Sequence, residues 1–148
     1  TIHNIDLRFV GMCIPYHGYC STERWGERHK KVWQGANEYL DVLRESILTR
    51  PQFQAHTILL GDFNLQIPPR GYPGKNSVVN ALREQTFSDW HIPTSGELDD
   101  PAMDKPFIDH IALTQDFRIE NMDFISRFTE SGATLSDHNG VTMDVRCE

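Results

Sequence analysis

The chain has 148 residues and is acidic: 21 Asp and Glu against 14 Lys and Arg give a net charge of −7. Aromatic residues make up 10% and charged residues 24%, which excludes a disordered chain, and the length suits one domain able to bury a sizeable core. No apolar run reaches the roughly 20 residues of a membrane-spanning helix, and the acidic balance argues against broad electrostatic capture of nucleic acid while leaving room for a local basic path.

Ile5 to Ile14 reads as a buried strand, because Leu7 to Ile14 is almost continuously apolar and ends at Pro15. Pro15 to Ser21 reads as a loop. A long helix follows, capped by Ser21 or Thr22, with Val32, Ala36, Leu40, Leu43 and Ile47 at helical spacing and Arg50-Pro51 as its stop. Its first turns carry Arg24, Arg28, His29, Lys30 and Lys31, which suit either a solvated face or a nucleic-acid backbone. His56 to Leu60 is expected as a short buried strand stopped by Gly61. Ile67 to Gly74 is a Pro- and Gly-rich loop, Ser77 to Phe87 a second helix, and Trp90 to Pro106 a turn-rich connection. Phe107 to Leu113 and, with poorer alternation, Ile119 to Phe128 read as strands, and Val141, Met143 and Val145 mark a last half-buried strand. Helices and strands alternate first and strands then follow one another. The expected fold class is α/β, a mixed β-sheet with flanking helices, with sites at the carboxyl ends of strands.

The three cysteines are Cys13, Cys20 and Cys147. Cys13 and Cys20 suit a disulfide in an oxidising compartment, and three thiols is the simpler reading. No CxxC or Cys/His ligand spacing occurs, so the sequence predicts no zinc site. The opening Thr1-Ile2-His3 carries none of the marks of a signal peptide and reads as a start inside a longer protein, with a cytoplasmic location favoured.

Three polar clusters stand where buried strands stop. Gly61-Asp62-Phe63-Asn64 follows the strand at Thr57 to Leu60. In extended geometry Asp62 and Asn64 point to one side and Phe63 to the other, so a carboxylate and a carboxamide converge. By the same alternation Asp109 shares a face with Phe107, Ile111 and Leu113. A carboxylate on an apolar face needs a partner, and a histidine is the natural one. Ser136-Asp137-His138 precedes the last strand. A bent turn there lets His138 meet Asp109 and Asp137 meet a cation. His110 is expected to pack on the opposite face rather than to do chemistry. Each cluster alone is common in turns and caps; the three together, in this order, are far more specific.

Together they resemble the endonuclease/exonuclease/phosphatase superfamily of metal-dependent phosphoesterases, matching its GDFN, DHI and SDH signatures in order from about Ile5 to Arg146. The resemblance implies that residues 1–148 are the carboxyl-terminal portion of a single domain, one half of a two-sheet α/β sandwich whose missing amino-terminal half is the expected partner. That half normally brings an Asn and a Glu to the metal, and no counterpart of the Glu precedes Leu7. The implied cofactor is Mg²⁺, with Mn²⁺ as a substitute. Asp62, Asn64 and Asp137 are the implied metal-site residues, and Asp62, Asn64, Asp109 and His138 the implied catalytic ones. Asp62 would activate water, Asn64 hold the phosphate or a water of the metal shell, and His138, fixed by Asp109, contact a phosphoryl oxygen. Asn64, His17 and Arg70 are the implied substrate contacts; His17 reads equally as a surface histidine of its loop, and Lys75 flanks the same loop as Arg70. Cys13 stands where the family usually has His or Tyr, near the site and without an assigned role.

The implied substrate is a phosphate ester, with DNA or RNA and a nuclease-like phosphodiesterase preferred. A phosphatase acting on a small or lipid phosphate, or a non-catalytic binding module retaining the fold, is the alternative. No GxSxG elbow supports a serine hydrolase. A half-sandwich leaves one apolar sheet face open, so the isolated chain is expected to self-associate.

Overall fold

The computed structural model describes residues 5–16, 33–67, 85–96 and 107–148. Within them the fold is mixed α/β. Strands β1 (Arg8–Cys13) and β2 (Thr57–Asp62) pair in parallel, and β3 (Asp109–Leu113) pairs antiparallel to β2, giving a three-stranded mixed sheet in the order β1-β2-β3. Strands β4 (Phe117–Ile125) and β5 (Gly140–Cys147) form a separate antiparallel pair. Helix α1 (Gln34–Leu43) runs into one wider π-type turn at Arg44–Leu48, where the Thr49 N–H reaches back to the Arg44 carbonyl. Arg50 then turns extended before Pro51, as the proline ring requires. Among the described residues no helix is long and apolar enough to cross a membrane.

The pleat divides the larger sheet into two faces. On one, Val10, Met12, Leu59 and Ala112 join Trp33, which precedes the helix, and Ala36, Leu40 and Leu43 of the helix in the main core. Leu59, Ala36 and Ala112 are fully buried, and burying a side chain the size of Leu59 contributes about 2 kcal/mol. On the other face, Phe9, Ile58 and Leu113 form one cross-strand row and Gly11, Leu60 and Ile111 the next. Ile58 and Leu113 pack with Phe117 of β4, and Ile119, Met143 and Val145 of the second sheet join that cluster. Beside it lies an open groove of about 610 Å³, lined by Leu7, Phe9, Leu60, Ile111, Met143 and Val145.

Strand β1 is shorter than expected and open on one face rather than buried, with Leu7 48% and Phe9 66% exposed, and two further sequence expectations need correction. Gly61 does not stop β2, which continues through Gly61 to Asp62. Gly61 has φ 142°, and a Cβ there would lie 1.9 Å from the Met12 carbonyl oxygen. The glycine lets β2 pass close to β1 and carry Asp62 to the sheet's end. The second correction is at β4, which ends at Ile125 rather than Phe128. Its poor alternation has a cause: the register with β5 shifts between Ile119 and Asn121, a bulge that breaks the period of two.

The Ser21 or Thr22 cap, Val32, the basic first turns of the long helix, most of the Ser77 to Phe87 helix, and the loop beyond Ile67 lie outside the described residues.

Candidate functional site

The parallel pairing of β1 and β2 brings their carboxyl ends together, and antiparallel β3 starts at the same edge. The last register row is therefore Cys13, Asp62 and Asp109, directly beyond the apolar rows of the open face. Two backbone hydrogen bonds hold this edge: Ile14 N–H to the Asp62 carbonyl at 2.8 Å and Phe63 N–H to the Ile108 carbonyl at 2.9 Å. Asp109 thus shares its face with Ile111 and Leu113, as alternation predicts.

Asp62 and Asn64 converge, but not through extended geometry. Asn64 is left-handed, with φ 52°, a region that asparagine tolerates better than most residues. Its backbone N–H donates to Asp62 Oδ1 at 2.7 Å, closing a tight side-chain turn. Its carboxamide donates to Asp62 Oδ2 at 2.9 Å and to the Ile14 carbonyl at 2.8 Å. Asn64 therefore clamps both carboxylate oxygens and ties them to the end of β1. Phe63 points the other way, fully buried against Phe87, with ring centroids 5.8 Å apart.

His138 arrives from the turn before β5. Its backbone N–H donates to Ser136 Oγ at 3.0 Å, and the buried Asn139 accepts the Arg127 N–H through Oδ1 at 3.1 Å, anchoring the turn to the end of β4. His138 Nδ1 meets Asp109 Oδ2 at 2.7 Å. Partial burial works against the imidazolium. The Asp109 hydrogen bond and the charges of Asp109, Asp62 and Asp137 outweigh it and raise the His138 pKa. The Asp109 pKa is raised as well: desolvation outweighs the pairing with His138, and the Asp62 and Asp137 charges add to it.

Ligand atoms of Asp62, Asp109 and His138 all lie within 4.8 Å of one another. Asp137, expected at the metal, stands apart from this group. Its side chain is 90% exposed, and its Oδ2 lies 3.9 Å from His138 Nε2. Asp109, expected only to orient the histidine, takes the more central place. Cys13 sits beside Asp62 as expected; it is exposed and free, and partial desolvation followed by the Asp62 and Asp109 charges pushes its thiol pKa up, away from nucleophilic character. His17, Arg70, Lys75 and Cys20 lie outside the described residues.

His110 is a structural residue on the opposite face, 1% exposed. Its Nε2 lies 2.8 Å from the Leu65 carbonyl, which only accepts, so Nε2 carries the proton. Nδ1 then accepts from Thr94 Oγ1 at 3.0 Å, and that oxygen accepts the Ile111 N–H at 3.1 Å. Burial, opposed by these bonds and the Asp62 charge, lowers the His110 pKa to about 4. The sequence reading missed Thr94, a threonine in a turn-rich stretch with no pattern to mark it. Through His110 it braces the loop after Asn64 against β3.

Compared with protein-family models, curated proteins and solved structures, the chain matches none.

Proposed function

We propose that this edge is part of a metal-dependent phosphoesterase site that hydrolyses a phosphate ester by in-line attack of water, with nuclease-like phosphodiester cleavage the preferred reaction. The observation that carries the reading is the convergence of Asp62, Asp109 and His138 within 4.8 Å from three distant segments. The open apolar face beside them supports a related view of the fold, in which this sheet is one half of a two-sheet sandwich.

The donor set fits Mg²⁺ or Mn²⁺. Both are oxygen-preferring ions that need only one or two protein carboxylates when water completes the shell, and Asp62 and Asp109 supply two carboxylates at one edge of the sheet. Asp62 and Asp109 would hold it. When bound, the ion would offset charge on the phosphoryl and leaving oxygens.

The chain's own groups supply the rest. Asp62, clamped by Asn64, presents a fixed carboxylate that orients and deprotonates the attacking water. Both carboxamide protons of Asn64 are engaged, so its role narrows to orienting Asp62 and offering Oδ1 as an acceptor. His138 turns Nδ1 to Asp109, and its Nε2, 3.9 Å from the exposed Asp137, would donate to a non-bridging phosphoryl oxygen.

The test is an assay of the protein carrying this chain on plasmid DNA, RNA and a panel of phosphate monoesters, with Mg²⁺, with Mn²⁺ and with chelator. The expected result is phosphodiester cleavage abolished by chelation, with Asp62→Ala, Asn64→Ala and His138→Ala each lowering the rate by orders of magnitude on an intact fold. Activity that survives chelation, or losses below about tenfold at all three positions, overturns the mechanism. Cleavage of monoesters alone moves the assignment to a phosphatase.

A further inference from the structure

A second group of ligand-type side chains lies at the other end of the larger sheet. His56 immediately precedes β2, whereas Asp62 ends it, so the strand's six residues, about 20 Å, separate the two clusters. Asp116 lies between β3 and β4, and Cys147 is the last residue of β5. His56 Nε2 lies 3.5 Å from Asp116 Oδ2, Cys147 Sγ lies 3.7 Å from the same oxygen, and all three ligand atoms fall within 4.8 Å of one another.

We infer that His56, Asp116 and Cys147 form a binding site for a zinc-class divalent ion, separate from the site at Asp62. The donor types are the first argument. One imidazole, one carboxylate and one thiol make a mixed N/O/S set that suits Zn²⁺ and is wrong for Mg²⁺, which takes oxygen ligands. The spacing is the second. Tetrahedral zinc with bonds of about 2.0 Å to N and O and about 2.3 Å to S sets its ligand atoms about 3.3–3.5 Å apart. The two measured separations need only small side-chain adjustments to meet that.

The third argument is positional rigidity. The His56 N–H donates to Asp116 Oδ2 at 2.8 Å, and the His56 carbonyl accepts the Arg8 N–H at 2.8 Å. The Glu148 N–H donates to the Asp116 carbonyl at 2.8 Å, and Cys147 pairs in register with Phe117. Backbone bonds thus hold all three residues at one corner, and the bond to Oδ2 fixes the carboxylate plane as outer-sphere partners do in metal sites. All three side chains are partly accessible, which allows an ion to enter and leaves a fourth position for water. The ligands come from segments with no common spacing, which is why the sequence predicts no zinc site.

Co²⁺ is the probe, because a cobalt–thiolate bond gives a charge-transfer band in the near ultraviolet that oxygen and nitrogen ligands do not. Titrating the 148-residue chain with Co²⁺ should produce that band at one equivalent, and Zn²⁺ should abolish it while Mg²⁺ should not. Cys147→Ser should remove the band and weaken Zn²⁺ binding, read by competition with a chromogenic chelator, by at least about 100-fold. Cys13→Ser, at the Asp62 end, should leave both unchanged. Asp116→Asn should also weaken Zn²⁺ binding; because Asp116 holds backbone as well, Cys147→Ser, checked for fold by circular dichroism, decides. Absence of the band in the unsubstituted chain, its survival in Cys147→Ser, or its loss in Cys13→Ser overturns the assignment.

Discussion

Asp109 and His138 stand 29 residues apart in the chain and meet through Oδ2 and Nδ1 at 2.7 Å, across the gap between the start of β3 and the turn before β5. The contact joins the two sheets, and it gives the histidine a polarity: Nδ1 is bound by the Asp109 carboxylate, while Nε2 faces the exposed Asp137 at 3.9 Å. It also sets a titration. The His138 pKa is raised above its ordinary 6.5 despite partial burial, through the Asp109 hydrogen bond first and the surrounding acids next. Asp109→Asn removes both contributions from Asp109, so the His138 pKa should fall, read from the imidazole proton shifts by NMR. The linkage has a definite sign. Charged His138 stabilises the fold fully below pH 6.5, and that contribution is lost as pH rises through the folded-state pKa. The variant should lose this alkaline dependence; an unchanged His138 titration in Asp109→Asn would show that the pair is not what holds the proton.

His110 predicts the opposite dependence in a different window. It is buried neutral, with its pKa lowered to about 4 against an unfolded 6.5. The unfolded chain takes up this proton first, so stability should fall as pH drops from 6.5 toward 4, by about 3 kcal/mol in all. Asp116, whose pKa is lowered below 3.8 although desolvation opposes it, acts in more acid solution, whereas Asp109, whose pKa is raised, opposes the slope toward its acid end, so the His110 contribution is the difference between the unsubstituted chain and a His110 variant. Urea denaturation at a series of pH values should show the slope in the unsubstituted chain. His110→Gln, which keeps a donor for the Leu65 carbonyl, should flatten it.

Much of this arrangement is legible in the sequence, and the parts that are not have physical reasons. Alternation along Phe107 to Leu113 places Asp109 on the open face and His110 on the buried one, because a paired strand keeps the period of two. The same rule fails at Asp62 and Asn64: their convergence is made by a left-handed residue and a side-chain turn, local chemistry that no periodicity encodes. Thr94 and the Ile14 carbonyl enter only through tertiary contacts. Asp137 looks as prominent as His138 in the sequence, yet the bent turn that carries the histidine inward leaves its neighbour outward.

Gly61 should be nearly intolerant of substitution. Its φ of 142° strains any L side chain, and a Cβ would press on the Met12 carbonyl at 1.9 Å, a backbone atom that cannot rotate away. Gly61→Ala should therefore destabilise the fold by about 3 kcal/mol or more, through strain and forced separation of β1 from β2. Gly132, which has positive φ of 82° but open space around it, is the control: Gly132→Ala should cost only the conformational part, about 1–2 kcal/mol. Equal urea midpoints for the two variants would contradict the close approach of the strands.

The open apolar face predicts how the isolated chain behaves in solution. Phe9 is 66% exposed, Leu7 48% and Leu60 39%, and they line the same groove. Single exposed apolar residues are ordinary, but a contiguous set on one sheet face is costly in water and favours association. The 148-residue chain, prepared alone, should elute in size-exclusion chromatography ahead of a monomer of its mass, increasingly so with concentration. Phe9→Lys removes the most exposed ring and adds a charge at the groove without touching the core on the α1 side, so it should shift the chain toward the monomer. A parent chain that is monomeric at every concentration and melts cooperatively would mean that the face is satisfied as it stands.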